Sequence, residues 1–295
     1  MNETVFTGNV RGIMAEQVVR DQEFSMYSRH FHESFELYFL LEGERYYFIE
    51  QETYLVGQGM AVFLNRDQIH KTSMAGGQVY HDRFLLQLDA AVMNPCLNAC
   101  GLPSLEELGN QYWGVVRFSP GDWTRITGLI AELKREIKGR AESSEAIVRL
   151  HALELLILYC RNKRRMDMED WKGGEDRKET YRVQTGMYQK IHEVAKYLQT
   201  HSSSKETLEE LSARFYISKS YLTRIFKTVT GFTINEYQNL ARIKKARILL
   251  AETDDSITWI AEQTGFENVT YFDRVFKKHT AMSPLQYRKQ RRDRS

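Results

Sequence analysis

Three histidines and one glutamate near the start of the chain could bind a metal ion or hydrogen-bond a small molecule. His30, His32 and Glu36 lie close together, and His70 follows later. On a single β-strand the first three positions have the same parity, so their side chains would point to one face. A barrel could place a later strand opposite. His70 would then complete a set of three imidazoles and one carboxylate that suits Fe, Mn, Ni or Zn.

A second group of polar side chains lies in a segment that occurs twice near the end of the chain. Residues 208–237 are repeated about fifty positions later as residues 257–287. Tyr221, Arg224, Phe226, Lys227, Thr230 and Tyr237 return as Tyr271, Arg274, Phe276, Lys277, Thr280 and Tyr287. The apolar pair Leu208 and Leu211 returns at an offset of forty-nine, as Ile257 and Ile260. One residue has therefore been gained or lost in the turn between the two helices of a copy.

Each copy has the pattern of a short helix, a tight turn and a longer helix with one apolar and one polar face. An arginine one turn into such a helix can bond the edge of a guanine bidentately, and lysines suit phosphates. The pattern therefore predicts contact with double-stranded DNA. The candidate residues are Ser218, Lys219, Ser220, Thr223, Arg224 and Lys227 in the first copy, and Asn268, Val269, Thr270, Arg274, Lys277 and Lys278 in the second.

Residues 234–253, between the copies, have the pattern of one continuous amphipathic helix. Such a helix would hold the two copies at a constant separation, so that both could enter successive major-groove segments ~34 Å apart. The copies differ at the outer face, where Thr223 is replaced by Asp273. We therefore expect the two copies to read different bases.

The distribution of charge supports a nucleic-acid partner for the C-terminal part only. Residues 188–295 contain 19 lysines and arginines against 12 aspartates and glutamates, whereas the rest of the chain contains 22 against 27. An excess of seven positive charges favours a phosphate-binding surface. It is also compatible with an ordinary solvated face.

Composition restricts the class of protein and its compartment. The hydrophobic fraction is 42%, and no apolar run approaches the ~20 residues of a membrane span. The start of the chain has no signal-peptide pattern, and three cysteines are too few and odd in number for a disulfide framework. We expect a cytoplasmic protein without a membrane partner.

Four segments follow from the periodicity of apolar residues. Residues 1–118 contain short alternating runs, which predict an antiparallel barrel or sandwich. Residues 119–165 predict two helices, the first with Trp123, Ile126, Ile130, Leu133 and Ile137 on one stripe. Residues 166–187 are charged and nearly aperiodic, which indicates an exposed linker. Residues 188–295 are almost entirely helical, with capping-box spacing at Thr207 with Glu210 and at Thr233 with Glu236.

At the duplicated segment the chain resembles the AraC/XylS family of bacterial transcription regulators. The resemblance rests on Ile257, Ile260, Ala261, Gly265, Phe266, Phe272, Phe276, Lys277, Ser283, Pro284, Tyr287 and Arg288. It implies a monomer that holds DNA through two helix-turn-helix units. By alignment, base contacts fall on Ser220, Arg224, Val269, Thr270 and Arg274. One departure is Ala281 where the family usually has glycine, which predicts a slightly strained left-handed helix end.

The histidine cluster resembles the cupin superfamily, whose first motif matches His30, His32, Glu36 and Gly43. The second motif departs from the pattern, with Asn65 and Asp67 where proline and glycine are usual. Four interpretations are open: a metal-dependent enzyme, a metal-dependent sensor, a pocket for an organic effector, and a structural remnant. No separate acid/base pair is evident, and fusion to a DNA-binding segment favours sensing. We therefore predict an effector pocket of His30, His32, Glu36, Tyr38 and His70, with no essential metal.

These observations predict an α+β multidomain chain: a cupin-like antiparallel β-barrel of jelly-roll type, a helical pair, and an all-α double helix-turn-helix domain. The expected function is sequence-specific regulation of transcription, more often activation by family resemblance, under control of a small molecule such as a carbohydrate. The helical pair resembles the family's dimerisation region, so a homodimer and RNA polymerase are further expected partners. The alternatives are a metal-dependent cupin sensor or enzyme fused to a DNA-binding module, and an architectural DNA-binding protein.

Overall fold

The computed structural model describes residues 2–22, 34–66, 68–173, 181–183 and 186–292. An antiparallel β-sheet domain is followed by a helical domain, as the sequence predicts. The strands are β1 (Asn2–Val10), β2 (Ile13–Arg20), β3 (Phe35–Ile49), β4 (Glu52–Gly57), β5 (Met60–Leu64), β6 (His70–Met74), β7 (His81–Leu88) and β8 (Gly114–Arg117). The helices are α1 (Ala90–Ala99), α2 (Leu105–Tyr112), α3 (Pro120–Gly139), α4 (Ser144–Gly173), α5 (Gly186–Thr200), α6 (Leu208–Arg214), α7 (Lys219–Thr230), α8 (Ile234–Glu252), α9 (Ile257–Gln263), α10 (Val269–Thr280) and α11 (Pro284–Arg292).

The N-terminal sheet folds over on strand β3, which belongs to both of its layers. Strands β1, β2, β7, β3, β5 and β8 are hydrogen-bonded in that order, whereas the second half of β3 pairs with β4 and β6. The change occurs at a bulge between Leu40 and Glu42. Gly43 follows with φ of +90°, and a Cβ there would lie 2.5 Å from the carbonyl oxygen of Tyr80. Glycine is therefore required where the strand bends.

Alternate residues of β3 have different surroundings. Phe35, Leu37 and Phe39 are buried in the core that the larger layer forms with helices α1 to α4. The intervening Tyr38 and Leu40 belong to a second apolar cluster, between the two layers. Because side chains alternate across a strand, one layer separates an interior from a helix-covered face.

The helical pair matches its prediction. Ile126, Ile130, Leu133 and Ile137 of α3 are buried, and Trp123 stacks on Phe118. Pro120 is the first residue of α3, and the Ser119 hydroxyl accepts a hydrogen bond from the amide of Asp122. The helix therefore begins where a missing N–H costs nothing and a capping side chain is present.

Residues 1–118 are β-rich, as predicted, but helices α1 and α2 also lie within them. Both are short, and α1 contains Pro95, so neither shows the long apolar period that identifies a helix. Their start signals are nevertheless present: Asp89 caps α1, and Ser104 forms a capping box with Glu107 at the start of α2. Strand β3 is longer than the short runs that the sequence predicts, because Phe35–Ile49 form one bent strand.

The prediction places the start of the linker (residues 166–187) too early in the chain. Helix α4 continues to Gly173, because good helix formers and an ion pair of Lys163 with Asp167 at 2.5 Å maintain it beyond its apolar part. Residues 181–183 lie against β4, where the amide of Leu55 donates to the carbonyl of Tyr181 and the amide of Val183 donates to that of Thr53. The end of the linker therefore has a backbone partner on the barrel.

The C-terminal domain contains two small helical cores that share helix α8. Tyr237 and Leu240 of α8 belong to the first core, and Ile243 and Leu250 belong to the second. The predicted capping boxes at Thr207 and Thr233 are both formed. The turn is four residues long in the first copy and five in the second, which confirms the predicted change of length. Among the described residues no helix is long and apolar enough to cross a bilayer.

The equivalent helices α7 and α10 both end at a residue in the left-handed conformation. Gly231 has φ of +79° and Ala281 has φ of +58°. A residue with a Cβ is strained there by about 1 kcal/mol, whereas glycine is not. The predicted strain at Ala281 is therefore present.

Ala281→Gly is expected to raise the free energy of unfolding by roughly 0.5–1 kcal/mol, since relief of the left-handed strain exceeds the entropy that glycine adds to the unfolded chain. Thermal unfolding of the full chain measures the change. Gly231→Ala at the equivalent position should lower the melting temperature, both through left-handed strain and because the added Cβ would meet the Lys71 side chain. A lower melting temperature for Ala281→Gly would contradict the assignment.

Candidate nucleic-acid interface and barrel interior

The first predicted DNA-contact group lies on the outer face of helix α7. Ser218, whose hydroxyl accepts a hydrogen bond from the amide of Tyr221, caps the helix. Its predicted partners are all exposed: Lys219, Ser220, Thr223, Arg224 and Lys227. Lys219 forms an ion pair with Glu209 of α6, and a phosphate group would compete for that lysine.

The second group lies on helix α10 at the equivalent positions. Asn268 caps the helix, and its side-chain oxygen accepts from the amides of Thr270 and Tyr271. The predicted residues Thr270, Arg274, Lys277 and Lys278 are exposed. Val269 is half-buried and packs against the second helical core, so only part of its side chain is available for a base contact.

The two arginines have the same local geometry in both copies. The guanidinium of Arg224 lies 5.7 Å from the ring centre of Tyr221, and that of Arg274 lies 5.2 Å from the ring centre of Tyr271. The Tyr271 hydroxyl in turn accepts from Asn239 of α8 at 2.9 Å. An arginine that rests on an aromatic ring keeps its planar donor group in one orientation, which suits bidentate recognition of a base edge.

Helix α8 carries both units and extends about 28 Å at 1.5 Å per residue. Its N-cap Thr233 and the Glu236 that completes the capping box fix its start, and its side chains enter both cores. The spacing of the two reading helices therefore depends on a single continuous element. This arrangement can present two helices to neighbouring segments of a major groove.

Tyr216 is a candidate that the sequence reasoning did not include. It lies in the turn before α7, is 95% exposed and has φ of +55°, a conformation that is unfavourable for a bulky residue. The sequence repeat could have indicated the left-handed conformation of Tyr216, because the equivalent residue of the second turn is a glycine, Gly265, with φ of +88°. An exposed aromatic side chain in an unfavourable backbone conformation beside α7 makes Tyr216 a further candidate for DNA contact.

The predicted effector residues are described only in part. His30 and His32 lie outside the described residues. Glu36 and His70 do come together, with 3.7 Å between Oε2 and Nε2, and Gln87 donates to the other oxygen of Glu36 at 2.7 Å. The ring of His70 stacks on Tyr47, whose ring meets Tyr38 edge-on at 5.2 Å. This end of the barrel interior is a hydrogen-bonding and aromatic surface.

A metal site is not assembled in the described part of the chain. Glu36 and His70 are two of the four predicted ligands, and no group of three or more His, Cys, Asp or Glu side chains is placed to hold an ion among the described residues. Glu36 is instead engaged with the amide of Gln87. A metal-dependent sensor stays a prediction from the sequence.

The other end of the barrel interior contains ionisable residues that the sequence reasoning passed over. Arg45 is fully buried and His81 is 2% exposed. Burial and the charges of Arg45, Arg20 and Arg83 lower the pKa of His81 to about 4. His81 is therefore neutral at pH 7 because desolvation and neighbouring positive charges both oppose its protonation.

Family models match two segments of the chain. An AraC-like ligand binding domain matches residues 17–157, and a helix-turn-helix domain matches residues 211–290. Together the two models cover most of the barrel, most of its helical pair and most of the duplicated unit.

Known proteins with related sequences are transcriptional regulators. YisR of Bacillus subtilis, an uncharacterized HTH-type transcriptional regulator, is 35% identical over 63% of this chain and 59% of its own length. Regulatory protein PocR of Salmonella typhimurium is 29% identical over 54% of each chain. The chain thus spans little more than half the length of these relatives. The solved DNA-binding domain of AdpA in complex with a target DNA is 28% identical, with 35% of this chain and 94% of that chain covered and a TM-score of 0.34.

The low pKa of His81 predicts a pH dependence of stability. Below pH 6.5 the unfolded chain binds a proton at this histidine, whereas the folded chain does not until the pH nears 4. The free energy of unfolding should therefore fall as the pH drops through this window, and His81 should account for about 2 kcal/mol between pH 7 and pH 5.

Urea unfolding at pH 7 and pH 5 measures this contribution as the difference between the parent chain and His81→Gln. Equal pH dependence in the parent and His81→Gln would show that this histidine is not neutral in the folded barrel.

Proposed function

Because the chain belongs to the AraC/XylS family of transcription regulators, we propose that it binds specific double-stranded DNA through both helix-turn-helix units and that a small molecule in its barrel controls this binding. The observation that carries the proposal is the duplicated arginine–tyrosine pair, exposed on two reading helices that one helix connects. A regulatory rather than an enzymatic role agrees with the relatives.

The first helix-turn-helix unit is docked on the barrel. Glu50, in the turn after β3, accepts from Lys244 Nζ of α8 at 2.9 Å and from Gln199 Nε2 of α5 at 2.6 Å. The Tyr237 hydroxyl donates to the backbone carbonyl of Glu50. Nearby, His192 of α5 lies 3.1 Å from the hydroxyl of Thr53. Polar contacts therefore join the sensor domain to the helices that support α7.

The docked surface also has an apolar part. Phe48 and Ile69 of the barrel are 1% and 3% exposed and belong to the core of the first helical unit. The ring of Phe48 meets that of Tyr237 at 6.2 Å, and the rings of Tyr46 and Tyr188 lie 5.5 Å apart. Since burial of such side chains stabilises the docked state, the barrel and the first unit form a real interface rather than a chance contact.

Glu50 occupies a conformation that favours glycine, with φ of +55°. A charged residue retained there under strain indicates that its side-chain contacts are needed. The part of the chain before residue 188 carries five more negative than positive charges. DNA phosphates would repel this acidic domain, so DNA binding favours release of the first unit.

Control by an effector follows from this competition. Tyr47 and Ile49 line the barrel interior, and Phe48 and Glu50 face the DNA-binding domain. A molecule that binds the interior more tightly in the undocked than in the docked state would shift the population toward DNA binding. This mechanism requires no contact between the effector and DNA.

A homodimer through the helical pair is part of the proposal. Helix α4 exposes 62% of Leu150, and Ile157 lies half-buried on the same stripe seven residues later. A second copy of the chain would cover this apolar stripe and place four helix-turn-helix units on repeated sites. Activation through RNA polymerase, a carbohydrate effector and a cytoplasmic location stay predictions that rest on the family and the sequence.

Arg224→Ala and Arg274→Ala should each weaken binding to a selected DNA site by about tenfold or more, because each removes a bidentate base contact. Selection of sites from random DNA by the parent chain should return two half-motifs about one helical turn apart, and each variant should lose the preference at one of them. Arg135→Ala, at an exposed arginine of α3, removes the same charge and should leave affinity unchanged.

Two results would contradict this function. Unchanged DNA affinity and unchanged sequence preference in both variants would show that α7 and α10 do not contact DNA bases. Selection without any preferred sequence would favour an architectural DNA-binding protein instead.

Glu50→Gln should raise the affinity of the effector-free chain for specific DNA by about fivefold, since loss of the ion pair with Lys244 weakens docking by roughly 1 kcal/mol. Fluorescence anisotropy at constant salt measures the change. Glu44→Gln alters the same charge on the same face of β3 away from the contact, and its affinity should equal the parent's. Weaker binding by Glu50→Gln would mean that docking supports the DNA-competent arrangement.

A further inference from the structure

The barrel interior carries three arginines at one corner. Arg20 ends β2 opposite His81 of β7, and His81 lies opposite Gly43 of β3. Arg83 lies two residues after His81 on β7, and Arg45 lies two residues after Gly43 on β3. Because alternate residues of a strand face the same side, the side chains of all three arginines face the barrel interior. The corner lies at the opposite end of these strands from Glu36.

Two of these arginines are largely removed from water, and Arg20 is half-buried. Arg45 is fully buried, and the side chain of Arg83 is 13% exposed. Arg83 forms an ion pair with Glu16 through one terminal nitrogen, while its Nη1 atom is buried without a hydrogen-bond partner among the described residues. A buried guanidinium nitrogen without an acceptor is unfavourable unless a ligand supplies one.

The positive charges repel one another. Burial and the charge of Arg83 lower the pKa of Arg20 to about 10, and Arg45 acts in the same direction. The fully buried hydroxyl of Tyr38 lies within the electrostatic influence of all three guanidinium groups. Because charges interact more strongly in a low-dielectric interior than in water, an anion at this corner would be attracted by three positive charges at once, with Glu16 as the acidic side chain paired to Arg83.

We propose that this corner of the barrel binds the oxyanion of the effector, a carboxylate or a phosphate, between Arg20, Arg45 and Arg83 and beside the Tyr38 hydroxyl. Guanidinium groups match both oxyanions through paired N–H donors. The inference rests on the proposed function and names the chemical class of the controlling molecule. The effector is an organic anion.

The other side chains of the interior indicate the chemistry of the uncharged part of the effector. Leu40, Ile49, Val56 and Val62 are buried together as an apolar cluster between the two layers. Tyr47, Glu36 and Gln87 provide aromatic and hydrogen-bonding groups at the far end. Such a lining accommodates a small body with hydroxyl groups, so a carbohydrate effector would carry an acidic group.

Isothermal titration of the full chain with glucose, glucuronate and glucose 6-phosphate tests the charge requirement, because the three probes share one sugar body. Inorganic phosphate and acetate test the oxyanion alone. Anionic probes should bind at least tenfold more tightly than glucose. Arg83→Gln should weaken them about tenfold or more, since a charge-assisted pair is lost. Arg83→Lys keeps the charge and should bind with intermediate affinity.

A control variant separates the buried arginines of the barrel from exposed cationic side chains. Arg135→Gln, at an exposed arginine of α3, should bind the probes as the parent does. A response to glucuronate and acetate alone identifies a carboxylate, and a response to the two phosphates alone identifies a phosphate ester. Either response supports the proposal if Arg83→Gln abolishes it.

Three results would overturn the proposal: equal affinity for glucose and the anions, no heat of binding with any anion, or anion binding that survives Arg83→Gln. Should Arg83→Gln fail to fold, Arg83→Lys and the parent's probe series decide the matter. Binding of the same preparation to selected DNA is measured in parallel. Sequence-specific DNA binding without anion binding would contradict the anion site alone. Absence of both would contradict the proposed regulator function as well.

Discussion

The alternation of side chains along strand β3 is the constraint on which the rest of the structure depends. Tyr47 and Ile49 belong to the barrel interior, and Phe48 between them is part of the core of the first helix-turn-helix unit. Since a strand has a period of two, no residue can face the interior here without a neighbour that faces the helices. The bend at Gly43 carries this half of the strand away from the helix-covered layer. Sensor and DNA-binding domain therefore share one strand as a boundary.

The two copies of the helical unit show how one scaffold serves two purposes. The equivalent tyrosines Tyr237 and Tyr287 are both buried, but their hydroxyls differ in their partners. That of Tyr237 donates to the barrel at Glu50, whereas that of Tyr287 accepts from Arg247 and Arg291 within its own unit. The Tyr237 hydroxyl thus holds the first unit on the barrel, whereas the Tyr287 hydroxyl serves the core of its own unit. The reading helices keep the same arginine–tyrosine pair, and their outer faces have diverged.

The helical domain was predictable from the sequence to a large extent. The repeat locates the helices, and the capping boxes at Thr207 and Thr233 mark where two of them begin. Local signals of this kind depend on residues that are three positions apart in the chain, so they can be recognised without knowledge of the fold. The change of length in the turn was likewise visible from the offsets of apolar residues.

The barrel was less predictable because its site is built from residues far apart in sequence. The parity of Glu36 and Tyr38 was readable, and so was the later partner His70. The cluster of Arg20, Arg45 and Arg83 was not, since only strand pairing across more than sixty residues brings Arg20 and Arg83 to one corner. The docking of Glu50 on Lys244 has no local signal either. Long-range pairing of this kind has to be seen in the fold.

DNA binding and docking of the first unit on β3 should oppose each other. Amide hydrogen exchange of the full chain, measured with and without a selected DNA site, can detect this opposition. Specific DNA should accelerate exchange at residues 49–53 of the barrel, because release exposes the amides beside Gln199 and Tyr237, while α10 becomes protected. Unchanged or slower exchange at residues 49–53 when α10 is protected would contradict it.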